Sequence, residues 1–387
     1  MSALLAAGLL PGLAVLGFNW LIRRSLAAPR VPEVGEPVGL PWQAVRIATA
    51  RGRSLFGWFI PAGERAPALA IVHGWGGNAE LMLPLARYRF HWRVSAPIHL
   101  PAYAGSMLRG AFGHALRRLA CMTRQADCAA CPLLHTCPYP GIFAPPPVEH
   151  SLQRFSQMPA PYVIEPPAWG ERTLEVGETL DFCVVLCGRG LRELPLVTLA
   201  LRQALQAGVG PGDGRAELVA VCLETPEGEQ LVHDPADGQF TAHSPVVPAP
   251  GLAAAERVTL SFVTPLRLQE NGRALPPERL TSRALLMAAV RRAALMADVH
   301  GGCAPAWDFQ HLGRLAMEVS DTRQLHWQDW IRRSARQKRT MALGGVCGEW
   351  TLQGELGPFL PALHAGQWLH VGKETVFGMG QYRLERA

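Results

Sequence analysis

A strict alternation of apolar and polar side chains runs through Tyr88-Arg-Phe-His-Trp-Arg-Val94. Apolar residues at every second position predict a half-buried strand, because successive side chains of a strand point to opposite faces. The polar face carries Arg89, His91 and Arg93. We therefore expect a strand with one face in a core and a basic face open to solvent.

A helix is predicted over residues 105–119, shortly after this strand. Apolar residues recur there at helical spacing, and Ser106 is placed to cap the first turn. Two glycines on the polar side weaken the helix but allow another backbone to approach closely. The polar side of the helical wheel holds Gly110, Gly113, His114 and Arg117.

Strand and helix patterns recur on both sides of a Pro-rich segment, Ser244–Pro250, which is typical of a linker. Each side contains a strand–helix–strand pattern, so the sequence predicts an α+β chain with two similar units. The predicted strands are Leu180–Cys187, Ala216–Glu224 and Val258–Phe262, and the predicted helices are Leu194–Leu205 and Thr281–Asp298.

The residues before the first strand differ in character. Ser2–Ile22 holds no charge and two arginines follow it, which predicts a membrane anchor in residues 1–28 with the rest of the chain in the cytoplasm. The predicted strand Ala68–His73 runs into His73-Gly-Trp-Gly-Gly-Asn78, which resembles the oxyanion-hole loop of α/β-hydrolases. No G-x-S-x-G nucleophile follows, so residues 29–86 are interpreted as a truncated hydrolase-like fragment without activity.

The composition excludes several classes of protein. A chain with 49% apolar and 18% charged residues is too apolar to be disordered, and a single long apolar run excludes a multispan membrane protein. The net charge of +6 is modest. All but Lys338 and Lys373 of the 37 basic residues are Arg. Arg suits bidentate phosphate contacts, although GC-rich coding gives the same bias.

Four of the nine cysteines lie close together, in Cys121-x6-Cys128-x2-Cys131-x5-Cys137. This spacing is typical of metal ligands, and four thiolates close a tetrahedral zinc site, in which His135 could replace one cysteine. An iron–sulfur cluster is the alternative, because Cys131 and Cys137 are each followed by proline. A reducing cytoplasm disfavours two disulfides. We predict a structural metal with no part in catalysis.

Two further segments offer cations or flexible backbone to a polyanion. A basic run suits an RNA backbone, and Trp327 and Trp330 before it could stack on bases. A Gly-rich loop near the C-terminus offers N–H groups and cations to phosphates. A solvated charged loop with core tryptophans is the alternative for the run. The run holds Arg332, Arg333, Arg336, Lys338 and Arg339, and the loop holds Gly372, Lys373, Gly378, Gly380 and Arg383.

In order, these motifs resemble the CRISPR repeat-processing endoribonucleases of the RAMP superfamily. The resemblance covers about residues 87–387 and implies two tandem ferredoxin-like (RRM-like) domains, 87–245 with a Cys-rich insertion and 251–387 with an RNA-gripping Gly-rich loop. The motifs are Gly105–His114, the cysteine group followed by Pro138-Tyr139 and Phe143, Phe262–Leu268, Trp330–Gln337, Gly344–Gly348 and His370–Arg383.

The resemblance implies one cut in each repeat of a CRISPR precursor RNA, without a metal. The 2′-hydroxyl attacks the adjacent phosphate and leaves a 2′,3′-cyclic phosphate. This reaction needs a base, an acid and a cation at the phosphorane. We predict that His114 is the acid or base, with Arg109 or Arg117 at the phosphate and Tyr103 as a helper. His91 is the second choice for the histidine, and His99 is the third.

The implied partners are CRISPR repeat RNA and subunits of a CRISPR effector complex, with a membrane as partner only if residues 1–24 are expressed. Two alternatives stay open. The chain could be a RAMP subunit that binds guide RNA without cutting it, or an α/β-hydrolase, for which a nucleophile is missing from the sequence. An RNA-cleavage assay distinguishes the first alternative, and an esterase assay the second.

Overall fold

The computed structural model describes residues 43–49, 53–59, 83–147, 158–245, 255–302, 305, 307–334 and 339–386. The predicted anchor in residues 1–28, the loop His73–Asn78 and most of the linker lie outside the described residues. No helix among the described residues is long and apolar enough to cross a bilayer. An antiparallel hairpin of β1 (Gln43–Thr49) and β2 (Arg53–Phe59) precedes the domains.

The first domain is a five-stranded antiparallel sheet that packs against two helices. Its strand order is β5-β7-β3-β8-β9, and the helices lie between β3 and β5 and between β7 and β8. Without β9 this is the βαββαβ order of a ferredoxin-like domain. The strands are β3 (Leu85–Ala96), β5 (Tyr162–Glu165), β7 (Thr179–Cys187), β8 (Arg215–Thr225) and β9 (Gly228–His233), with short β4 (Ile98–Leu100) and β6 (Arg172–Leu174) pairing separately.

The helices of this domain carry its chemistry-bearing residues. Helix α1 spans Gly105–Ala120, the short α2 spans Pro138–Phe143, and α3 spans Leu194–Ala207. Helices α1 and α3 share one core with the inner face of the sheet. The cysteine-rich segment therefore connects α1 to α2 and lies at the end of the first crossover, as the sequence predicts.

The second domain repeats the same order with four strands. The sheet runs β13-β14-β10-β15, and its helices again follow the first and third strands of the unit. Both units are thus ferredoxin-like, which confirms the predicted α+β class. The elements are β10 (Arg257–Leu266), short β11 (Gln269–Glu270) and β12 (Arg273–Ala274), α4 (Ser282–Met296), α5 (Phe309–Glu318), β13 (Ser320–Ser334), β14 (Arg339–Gln353), α6 (Leu360–Leu369) and β15 (Tyr382–Arg386).

Burial confirms the alternation in residues 88–94. Tyr88, Phe90, Trp92 and Val94 are at most 1% exposed, and they form the inner face of β3. Burying such large aromatic side chains removes much apolar surface from water, which is the main driving force for folding. The rings of Phe90, Trp92 and Phe182 stack on one another. The centre of this core is therefore set by the strand itself.

Three local predictions differ from the structure. Strand β3 begins at Leu85, so Leu85 and Ala86 belong to the first domain and not to the preceding fragment. Ala104 occupies the N-cap of α1 without a side-chain cap, so the prediction of a Ser106 cap is wrong. Gly113 is buried, because its helical position faces Phe143 and not the solvent.

The two domains meet at an aromatic cluster of Tyr103, Trp330, Leu343, Phe377 and Met379. Tyr103 comes from the segment before α1, whereas the other four residues come from the second domain. The cluster is a continuous apolar contact between domains, so the start of α1 is held against the second domain.

Candidate functional site

His114 lies on the solvent-exposed face of α1. It has no hydrogen-bond or ion-pair partner among the described residues, so its imidazole is free to contact a substrate. Arg118 is four residues further along and is also exposed. Residues at i and i+4 are neighbours on a helix surface. Together the two side chains form an exposed pair of a proton-transfer group and a cation.

The two arginines predicted to bind phosphate already have partners within the protein. Arg117 donates from Nη2 to the backbone oxygens of Gln125 and Ala126, at 2.6 and 2.8 Å. The guanidinium of Arg109 lies 4.3 Å from the centre of the Phe143 ring. A phosphate would have to displace these contacts. Arg118 is therefore better placed than either arginine to reach a phosphate next to His114.

Tyr103 is buried and belongs to the domain interface. Its hydroxyl donates to the backbone oxygen of Phe377 at 2.9 Å, and burial raises the pKa of the phenol well above its ordinary value. The ring packs against Trp330 and Trp169, with ring centres 4.8 and 5.0 Å away. These contacts support Tyr103 as a structural donor, and its role as a catalytic helper stays a prediction.

Two glycines of the Gly-rich loop, Gly378 and Gly380, use their N–H groups within the protein and do not present them to phosphate as predicted. The N–H of Gly378 donates to Thr375 O, and the N–H of Gly380 donates to Pro265 O. The N–H of Lys373 is also used, by Arg267 O. Because protein carbonyls satisfy these three donors, they are not available to a phosphate, whereas the side chain of Lys373 is exposed.

Close packing explains why a glycine is required on each side of the domain interface. A Cβ on Gly378, whose φ is +97°, would lie 2.4 Å from Pro166 Cδ. A Cβ on Gly105, the first residue of α1, would lie 2.0 Å from Phe377 O. Backbone oxygens cannot yield like a flexible side chain. The glycines therefore let the loop of one domain touch the helix start of the other.

Gly105→Ala is expected to weaken the contact between the domains, because the added methyl group overlaps a backbone oxygen. Overpacking of this kind costs about 1–3 kcal/mol. Gly110→Ala is the matched control on the same helix, since its Cβ would meet no atom within 4 Å. The control should gain up to about 1 kcal/mol of helix propensity. Denaturant unfolding measures both, and equal stability of the two variants would contradict the close contact.

A buried polar group joins the domains beside this loop. Glu165 at the end of β5 is ion-paired with Arg87 of β3, with Nε–Oε2 at 2.9 Å, and its Oε1 lies 3.0 Å from Nε2 of His370. Arg87 also donates to the backbone oxygen of Gln367 in α6 at 2.7 Å. The other ring nitrogen of His370 lies 3.2 Å from Met379 O. Arg87, Glu165 and His370 thus form an interdomain triad.

The electrostatics of the interdomain triad are those of a desolvated ion pair. Burial alone raises the pKa of Glu165, but Arg87 and His370 together bring it below its ordinary value. Both ring nitrogens of His370 face oxygen acceptors, Met379 O and Glu165 Oε1. The triad fixes the base of the Gly-rich loop to the first domain.

The outer face of β3 is basic only in part: Arg93 is exposed, whereas Arg89 and His91 face acidic side chains. Arg89 forms ion pairs with Glu224 and Glu229. The ring nitrogens of His91 lie 3.1 Å from Asp181 Oδ1 and 3.1 Å from Glu229 Oε2. The neighbouring strands thus supply acidic side chains for these basic ones, and His91 is less accessible than His114 for catalysis.

His99 is exposed on β4. Its Nδ1 lies 2.8 Å from the hydroxyl of Thr173 on β6. This hydrogen bond links β4 to β6, so His99 already has a structural role within that strand pair. The structure gives no reason to place it ahead of His114.

The described residues of the basic run lie at the ends of β13 and β14, which pair as a hairpin. The two strands pair from Ser320–Gln353 to Ser334–Arg339, whereas β10 pairs with β14 only from Val346 onward. The hairpin therefore extends beyond the sheet. Arg332, Arg333 and Arg339 lie within its strands, and Arg336 and Lys338 lie outside the described residues.

Only one of the two tryptophans before the basic run is open to a nucleic-acid base. Trp327 is 36% exposed, with its indole N–H donating to Asp329 Oδ1 at 2.7 Å. Trp330 is 6% exposed and packs on Tyr103 and Phe377. The prediction that Trp330 stacks on bases is therefore wrong, because the domain interface covers it.

Sequence reasoning misses two candidate residues. Arg118 has a clear signal, because i+4 spacing places it on the face of His114. Trp169 has no such signal in the sequence: it lies in a loop, is 37% exposed, and packs against Tyr103. Trp169 and Trp327 are the two exposed tryptophans in the part of the chain that is described.

Comparison with family models divides the chain in two. Residues 83–245 match a family model described as an N-terminal domain. Residues 260–382 match the model of the CRISPR-associated endoribonuclease Cas6. The first match begins at residue 83, within the range predicted for the hydrolase-like fragment. The hydrolase-like loop itself lies outside the described residues and stays a prediction.

Solved structures are similar at low identity. A Cas6 product complex is 19% identical with a TM-score of 0.47, and the match covers 78% of this chain and 99% of that one. Thermus thermophilus Cas6 is 17% identical with a TM-score of 0.44, covering 80% and 100%. A partial Cas6-RT-Cas1–Cas2 complex is 14% identical with a TM-score of 0.47, covering 79% and 46%. No curated protein sequence matches significantly.

Proposed function

We propose that this chain, whose residues 260–382 match the CRISPR-associated endoribonuclease Cas6, cuts CRISPR precursor RNA once within each repeat and so releases guide RNAs. The family match of the second domain is the observation that carries the proposal. The exposed His114 on the first helix supplies a group suited to the chemistry.

The proposed reaction is an internal transesterification. The 2′-oxygen of one nucleotide attacks the neighbouring phosphorus, and the bond from phosphorus to the 5′-oxygen breaks. The proton of the 2′-hydroxyl passes to a base, and a proton is delivered to the leaving 5′-oxygen. The products are a 2′,3′-cyclic phosphate and a 5′-hydroxyl. Because the nucleophile belongs to the RNA, the step requires no metal-bound water.

His114 is proposed as the general acid or base of this step, because histidine exchanges protons near neutral pH. Arg118 is the cation placed to stabilise the phosphorane, since it is exposed on the same helix face. Arg109 and Arg117 are proposed to support the helix and the cysteine-rich loop, in keeping with their internal contacts. A direct contact of either arginine with the phosphate remains the alternative.

RNA is proposed to lie across the hairpin tip and the exposed face of α1. The basic run supplies charge for the backbone, and Trp327 and Trp169 supply exposed rings for stacking. Lys373 and Arg383 are exposed and extend the cationic surface toward the Gly-rich loop. Subunits of a CRISPR effector complex are proposed as further partners of the same chain.

Incubation of the full chain with repeat RNA in excess EDTA tests the proposal. The expected result is one cut in each repeat, with a 2′,3′-cyclic phosphate on the upstream product. Tight binding without a cut would overturn the enzymatic function and support the second candidate, a non-cutting RNA-binding subunit. The internal contacts of Arg109 and Arg117 favour that candidate specifically, because they leave fewer cations for a phosphorane.

Arg332→Ala combined with Arg333→Ala is expected to lower the affinity for repeat RNA and to flatten its dependence on salt. Each lost phosphate contact removes roughly 0.7–0.9 from the slope of log affinity against log salt concentration. The control is Arg202→Ala with Arg291→Ala, two exposed arginines on α3 and α4. Fluorescence anisotropy over a salt series measures the slopes, and indistinguishable slopes would remove the hairpin from the RNA interface.

A further inference from the structure

All four clustered cysteines line a single surface pocket. Cys121 immediately follows α1, and Cys137 is the N-cap of α2. Cys128 and Cys131 come from the loop between the helices, and all four are free thiols. The four cysteines of the segment between α1 and α2 thus line one pocket, which we call the four-thiol pocket.

The loop is built so that the pocket keeps its shape. Arg117 of α1 holds the backbone at Gln125 and Ala126 through two hydrogen bonds. Turns follow, with the N–H of Cys131 donating to Cys128 O at 3.1 Å and the N–H of Cys137 donating to Leu133 O at 2.8 Å. The four-thiol pocket is therefore an ordered element, although few of its residues are fully buried.

The spacing of the sulfurs distinguishes two kinds of occupant. Zinc–sulfur bonds of about 2.3 Å in a tetrahedron place the sulfurs roughly 3.8 Å apart. Among the described residues, the one group of three or more ligand atoms within 4.8 Å of one another is His91, Cys222 and Glu229. No three sulfurs of the four-thiol pocket are therefore as close as a single zinc ion needs. That other group contains Glu229, which already pairs with Arg89.

A polynuclear cluster accepts thiolates that stand further apart, because each sulfur binds a different metal atom. Proline follows both Cys131 and Cys137, as it follows a ligating cysteine in the ferredoxin type of cluster site. We propose that Cys121, Cys128, Cys131 and Cys137 bind an iron–sulfur cluster with four thiolate ligands. The cluster ties the end of α1 to α2, and it stands independently of the proposed RNA cutting.

Anaerobic purification of the full chain tests this binding site. The expected result is iron and acid-labile sulfide in amounts close to one four-iron cluster per chain, with visible absorption that bleaches on reduction by dithionite. Cys128→Ala should lose the iron, the sulfide and the absorption. Cys347→Ala, on β14 outside the pocket, is the control and should keep them.

Two results would overturn the proposal. One is stoichiometric zinc without sulfide, which would make the pocket a zinc site. The other is a chain that contains neither metal and takes up no cluster when it is incubated anaerobically with iron and sulfide. Mössbauer or electron paramagnetic resonance spectra of the unaltered chain give the same decision if Cys128→Ala does not fold.

Discussion

His114→Ala is expected to reduce the cutting of repeat RNA by about 10²–10⁴-fold, the contribution that a positioned acid or base usually makes. Affinity for the RNA should change little, because the substitution leaves the cationic side chains of the helix, such as Arg118, unchanged. Single-turnover cleavage and anisotropy on the same preparation measure the two quantities. The expected outcome is thus a loss of rate without a loss of binding.

His311→Ala is the matched control, because His311 is an exposed histidine on α5 of the second domain. Its backbone N–H makes the N-cap hydrogen bond to Asp308, and alanine keeps that bond. The control should cut at the normal rate. Cutting that survives unchanged in His114→Ala would remove this residue from the mechanism and return attention to His91 and His99.

Glu165→Gln is expected to destabilise the protein by up to about 3–5 kcal/mol, because it removes the buried carboxylate closest to Arg87. Glu224, 3.4 Å from Arg87, then remains as its partner. The side chain of Glu165 is 6% exposed and that of His370 is 0% exposed. Water can therefore not replace the lost carboxylate charge. Denaturant unfolding measures the loss, and limited proteolysis between the domains should become faster in the variant.

Glu229→Ala is the control for Glu165→Gln, since its side chain is 41% exposed. Exposed ion pairs of this kind contribute about 0–1 kcal/mol. A cost for Glu165→Gln as small as that of the control would show that the interdomain triad does not hold the domains together.

The interdomain triad also predicts a pH dependence of stability. The pKa of Glu165 is lower in the folded protein than its ordinary value. The stabilisation is therefore complete above the unfolded pKa, roughly 4.3 for glutamate, and it is lost as the pH falls through the folded pKa. The stability difference between the unaltered chain and Glu165→Gln should accordingly shrink below that pH.

The strands and helices follow from periodicity, which is a local property of the sequence. The alternation places Tyr88, Phe90, Trp92 and Val94 on the inner face of β3 correctly, and the helix begins at Gly105 as predicted. The doubled strand–helix pattern gives the α+β class for the same reason. The exposure of His114 could be predicted because the apolar residues of its helix recur at helical spacing and leave His114 on the opposite side.

The contacts between the domains could not be read from the sequence. Trp330 and the Gly-rich loop have the composition of an RNA-binding surface, but their partners lie in a distant part of the chain. Tyr103 and Phe377 are 274 positions apart, and Glu165 and His370 are 205 positions apart. No local pattern of the sequence shows that such residues meet. A residue that is buried between the domains can therefore not be distinguished from an exposed residue by its neighbours in sequence.

The proposed mechanism is tested most directly by removing the nucleophile from the RNA. A repeat RNA with a single 2′-deoxy nucleotide immediately upstream of the cut keeps its charge and shape but has no 2′-oxygen to attack the phosphorus. With the full chain in EDTA, we predict unchanged binding and no cut at that position, while an RNA with the deoxy nucleotide elsewhere is cut normally. A cut at the modified position would contradict this mechanism.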